Sequence, residues 1–87
     1  MKYGIVFSRS IKKDLRRIPQ LVIARIQEAL RALQENPFPP ASKKLNDMDN
    51  LYRIRVGNYR IMYLVDTKIR IITVVRIGDR KDVYKML

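Results

Sequence analysis

The sequence predicts an α+β domain of order β-α-α-β-β-β, with two N-terminal helices packed on one face of a small, mostly antiparallel sheet. Three observations carry this expectation. The apolar residues recur every three or four positions between Ile11 and Leu33, and every second position from Leu51 onward. Turn chemistry divides that second region into three short segments rich in β-branched and aromatic side chains. The chain has 87 residues, enough for a single domain over 1–87 and too few for two.

Each element has its own justification. Tyr3 to Phe7 reads as a short strand, weakened by Gly4. Ser8 is a reasonable N-cap for a helix carrying Ile11, Leu15 and Ile18 along one side. Pro19 stands where a second helix should begin, because its fixed φ suits a first helical position. Ile23, Ile26, Leu30 and Leu33 follow on one stripe, with Arg25, Glu28, Arg31 and Glu35 elsewhere on the cylinder. Asn36-Pro37 ends that helix, since a residue before proline avoids the helical region. Strands are expected at Leu51–Val56, Tyr59–Val65 and Ile69–Ile77. Gly57-Asn58 joins the first two as a two-residue hairpin loop, and Asp66-Thr67-Lys68 joins the second pair. Periodicity leaves the place of the first strand in the sheet open.

Composition narrows the chemistry. Nineteen Lys and Arg stand against eight Asp and Glu, a net charge of +11, with no His and no Cys. A chain that is 47% apolar should fold, so this is not the charge of a disordered tail. Disulfides, thiolate nucleophiles and imidazole acid–base chemistry are excluded, and no cofactor or metal site is expected. No apolar run approaches membrane-spanning length, and the N-terminus lacks the apolar core of a signal peptide, so a cytoplasmic protein without membrane contact is expected. The excess positive charge points to a polyanion, most simply nucleic acid.

The hairpin register gives that charge a location. With Gly57 and Asn58 in the loop, Val56 faces Tyr59, Arg55 faces Arg60, Ile54 faces Ile61 and Arg53 faces Met62. One face then carries Tyr52, Ile54, Val56, Tyr59, Ile61, Tyr63 and Val65, and the other carries Arg53, Arg55 and Arg60. With Asp66–Lys68 as the next loop, Val65 faces Ile69. That register adds Ile71, Thr73, Val75 and Ile77 to the apolar face, and Arg70 and Arg76 to the arginine face beside Met62, Leu64, Ile72 and Val74. Directly opposed arginines repel. The face is either a solvated surface or an anion site in which rigid strands present guanidinium forks to phosphate. Gly78 permits a sharp exit from the last strand. Beyond it, Arg80 and Tyr84 would share one side of a helical turn, although Tyr84 alone reads as a packing residue.

Two blocks, Tyr52 to Ile61 (YRIRVGNYRI) and Arg76 to Tyr84 (RIGDRKDVY), resemble the RelE branch of the RelE/ParE toxin superfamily. Phe7-Ser8 and Lys13-Asp14-Leu15 match its first strand and helix more loosely. The resemblance implies a RelE-like fold and a toxin of a type II toxin–antitoxin pair. Such a toxin enters the 30S A site of the ribosome, cleaves the mRNA there and is neutralised by a RelB-like antitoxin. It also implies a catalytic set of Arg53, Arg55, Arg60, Arg80 and Tyr84. Arg53, Arg55 and Arg60, together with Arg76 and Lys81, would contact RNA. Two positions depart from the family pattern: Asp79 stands where many members have His, and the Arg80–Tyr84 spacing is shorter than in some. An antitoxin segment is expected over Met62, Leu64, Ile72 and Val74. The alternatives are a ParE-like inhibitor of DNA gyrase and a non-catalytic RNA- or ribosome-binding domain.

Overall fold

The computed structural model describes residues 2–45 and 50–79. Its elements in chain order are β1 (Gly4–Phe7), α1 (Ile11–Leu15), α2 (Gln20–Glu35), β2 (Lys43–Lys44), β3 (Leu51–Val56), β4 (Tyr59–Asp66) and β5 (Ile71–Asp79). The five strands form one sheet in the order β1-β5-β4-β3-β2. All neighbours are antiparallel except β1 and β5, which run parallel. The helices lie on one face, α1 against β5 and α2 against β3.

The second helix forms where its apolar stripe lies. Ile26, Leu30 and Leu33 are buried against Ile54, Ile61, Tyr63 and Val65 of the sheet. Its N-cap is Pro19, in an extended conformation, with the helix starting one residue later than the sequence suggests. Asn36 ends it at φ −147°, as a residue before proline should. The first helix is shorter than its apolar spacing implies, ending at Leu15, although Ile18 beyond it is still buried. Ser8 is not its cap. Ser10 occupies that position without a side-chain cap bond, and both serine hydroxyls donate to Val75 O at 3.0 Å.

The β3–β4 register is the expected one at every pair from Tyr52↔Tyr63 to Val56↔Tyr59. Gly57 has φ +59° whereas Asn58 does not have a positive φ, the sign pattern of a type II′ turn. The β4–β5 register departs from expectation. Thr67 to Arg70 form the loop, so Val65 faces Ile72 rather than Ile69. Asp66 Oδ1 accepts the backbone N–H groups of Lys68 and Ile69 (2.9 and 3.2 Å), and Arg70 adopts φ 56°. Together these features lengthen the turn. The shift is odd, so Ile72 and Val74 point into the core under the helices and do not join the arginine face. Ile71 and Thr73 leave the core face for the same reason. A bulge between Met62 and Tyr63 then restores the expected sides of Arg76 and Ile77, with Val75 as the extra residue.

Two placements come only from the tertiary structure. The first strand pairs with the last, Gly4 opposite Ile71, and a Cβ on Gly4 would meet Ile71 Cδ1 at 3.0 Å. A further two-residue strand, Lys43–Lys44, extends the far edge beside β3.

Candidate nucleic-acid interface

The sheet face opposite the helices carries the cations in two rungs. Across β2, β3, β4 and β5 one rung reads Lys43, Arg53, Met62, Arg76. The next rung toward the hairpin reads Arg55, Arg60, Gly78. Gly78 contributes no side chain, so the second rung is open beside its two arginines. A cavity of about 140 Å³ lies at this end, lined by Arg55, Gly57, Asn58 and Arg60. On this face Leu51 and the rung's own Met62 are buried and form a small second core with Leu45, Leu64 and Val75.

The arginines differ in environment. Arg55 is exposed, whereas Arg53 and Arg60 are each only 7% exposed. Among the described residues Arg53 Nε has no hydrogen-bond partner. A guanidinium nitrogen removed from water without a partner is costly, and a phosphate oxygen is the acceptor that suits it best. Opposite strands hold Arg55 against Arg60, and like charges directly opposed across a hairpin are destabilising by themselves. Among the described residues no group of His, Cys, Asp or Glu could hold a metal ion.

The structure therefore brings together Arg53, Arg55 and Arg60, as the hairpin register predicts. Arg70 does not join them; it lies in the β4–β5 loop with its guanidinium carbon 6.0 Å from the Tyr3 ring centroid. Arg76 is on the predicted side, but its Nη1 is 3.9 Å from Asp14 Oδ1. Arg80, Lys81 and Tyr84 lie outside the described residues. Lys43 was missed, since two lysines after Ser42 carry no strand signal of their own. The apolar surface expected for an antitoxin also changes: Ile72 and Val74 are core residues, Met62 is buried with Leu51 in the second core, and Leu64 remains half-buried beside Leu45 and Val75.

Residues 5–84 match the family described as the ParE toxin of the type II toxin–antitoxin system, parDE. The chain belongs to the RelE/ParE toxin family. The putative toxin RelE1 of Methanocaldococcus jannaschii is 32% identical to this toxin, covering 98% of both chains. Toxin RelE3 of the same organism is 33% identical over 92% of this chain and 93% of its own. In the archaeal RelE–RelB complex from Pyrococcus horikoshii OT3, a similar chain superposes with a TM-score of 0.81 at 28% identity. That likeness covers 92% of this toxin and 97% of the other chain. The superposition agrees with two helices on a mostly antiparallel sheet, the architecture built above from the residues. No helix among the described residues is long and apolar enough to cross a membrane.

Proposed function

We propose that this toxin is a ribosome-dependent endoribonuclease that cleaves mRNA in the A site and so stops translation. The observation that carries the proposal is the pair of cationic rungs, with Arg53, Arg55 and Arg60 on one sheet face. RNA brings its own nucleophile. The 2′-hydroxyl oxygen attacks the adjacent phosphorus, the P–O5′ bond breaks, and a 2′,3′-cyclic phosphate and a free 5′-hydroxyl result. Arg53, Arg55 and Arg60 stabilise the additional negative charge on the phosphorane, the contribution that fixed guanidinium groups make best. Tyr84 is assigned the proton of the 2′-hydroxyl, which requires its ordinary pKa of about 10 to be lowered by neighbouring cations. Arg80 is assigned to the departing 5′-oxygen as a charge stabiliser, because arginine stays protonated, and that oxygen takes its proton from water. Lys81 adds a phosphate contact. A site without an imidazole proton shuttle depends on the ribosome to align the substrate.

The proposed partner is a RelB-like antitoxin. Support comes from the similar chain in the Pyrococcus complex, which is bound to RelB. The half-buried Leu45, Leu64 and Val75, packed over the buried Leu51 and Met62 beside the arginines, are the apolar surface assigned to it.

Primer extension on translated mRNA after induction tests the reaction. Wild-type toxin should give breaks within A-site codons, and Tyr84→Phe should remove them while preserving the fold and antitoxin binding. Wild-type-like cleavage by the Arg53/Arg60/Arg80 triple alanine variant rejects the mechanism. A second reading, a ParE-like inhibitor of DNA gyrase, is favoured by the description of the matching family. It predicts that the toxin blocks supercoiling by purified gyrase and leaves translated mRNA intact.

A further inference from the structure

The outer edge of β5 is only half covered by a strand. β1 pairs with Ile71 to Val74 and then ends. Beyond that point side chains from residues 8–14 take the place of a strand. Ser8 and Ser10 hydroxyls both donate to Val75 O at 3.0 Å, and Asp14 Oδ2 accepts the Ile77 N–H at 3.0 Å. The other carboxylate oxygen of Asp14 faces Arg76 Nη1 at 3.9 Å. Asp14 is 6% exposed, whereas its neighbours Lys12, Lys13, Arg16 and Arg17 are all exposed. A buried carboxylate in so basic a segment is expensive unless both oxygens are used. Here one holds a backbone amide and the other faces a guanidinium.

We propose that Asp14 is a positioning residue: it fixes the outgoing end of β5 and holds Arg76 as its counter-ion, off the RNA. Ile77 is in the strand that places Gly78 beside Arg55 and Arg60, and the chain continues from there to Arg80. A strand end free to leave its edge partner would misplace everything that follows. A misplacement of about 1 Å can cost on the order of 100-fold in rate. Arg76 is accordingly removed from the set of RNA contacts.

The effect on cleavage rests on the endoribonuclease reading; the clamp itself does not. Amide hydrogen exchange by NMR tests the clamp alone. Asp14→Ala should speed exchange at Ile77 at least tenfold (~10) while leaving Ile26 in α2 unchanged, and Asp14→Asn, which keeps an acceptor oxygen, should stay near wild type. Unchanged exchange at Ile77 in Asp14→Ala overturns the proposal. Single-turnover cleavage on programmed ribosomes should fall about tenfold in Asp14→Ala, with ribosome affinity preserved and with rescue in Asp14→Asn. Wild-type rates in Asp14→Ala overturn the positioning role. If the wild-type toxin itself does not cleave, the endoribonuclease reading fails and the exchange result still decides the clamp. Arg76→Gln provides a test that survives misfolding of Asp14→Ala. Its ribosome binding should keep the wild-type salt slope, and a loss of about one unit shows Arg76 on phosphate and overturns its assignment to Asp14.

Discussion

Tyr63 is fully buried between Tyr52 and the helices, and its hydroxyl donates to Pro37 O at 2.8 Å. This bond ties the end of α2 to the middle of the sheet. Burial pushes the Tyr63 phenol up from 10.0 to about 12. Only the unfolded chain loses this proton at the lower end of that range, so the group's contribution is complete below pH 10.0 and declines as pH rises toward about 12. Tyr63→Phe should cost about 1–3 kcal/mol near neutrality by leaving the Pro37 carbonyl unpartnered. It should also flatten the alkaline loss of stability relative to wild type. Urea melts of both proteins at about pH 8 and about pH 11 check the two effects. Gly57 makes a different point. Nothing lies within 4 Å of a Cβ built there, so Gly57→Ala should cost only the left-handed backbone term, about 1–2 kcal/mol, with the packing untouched.

At the scale of elements, α2 is held by its stripe and indifferent to its outer face. Leu33 is 1% exposed and Leu21 is 84% exposed on the same helix. Leu33→Ala should therefore destabilise by about 2–5 kcal/mol, and Leu21→Ala by no more than about 0.5. Since a domain this small changes its melting temperature by about 4–8 °C per kcal/mol, thermal denaturation separates the two clearly. The β3–β4 hairpin was legible residue for residue, because a two-residue glycine loop admits one register. The β4–β5 connection was not. Asp66 signals a turn by bonding to backbone N–H groups but does not set its length, and nothing about an arginine announces the positive φ at Arg70 that completes it. Ile72 and Val74 changed faces for that reason alone.

For the molecule as a whole, +11 is a field with a built focus. Exposed cations from Arg9 to Arg17 and along α2 surround the helical side, while Arg53, Arg55, Arg60 and Lys43 stand on the opposite face. Binding to ribosomes should weaken steeply with salt. Arg55→Ala should lower the log–log slope by about one unit and reduce cleavage, whereas Arg25→Ala, on the helical side, should leave the cleavage rate unchanged once toxin is bound. Filter binding across a salt series, paired with single-turnover rates, separates attraction from chemistry.

The fold class, the helical stripe, the first hairpin and the grouping of Arg53, Arg55 and Arg60 are all legible in the chain. All of these follow from local periodicity and a short loop. Contacts between elements settle that β1 lies parallel to β5, that Lys43 joins the cationic rung and that Asp14 replaces a strand at the edge of β5. The β1–β5 pairing and the Asp14 bond join residues 63 to 67 positions apart, and Lys43 pairs with Arg53 10 positions away across a loop; side-chain period carries no information about which distant backbone groups will lack a partner.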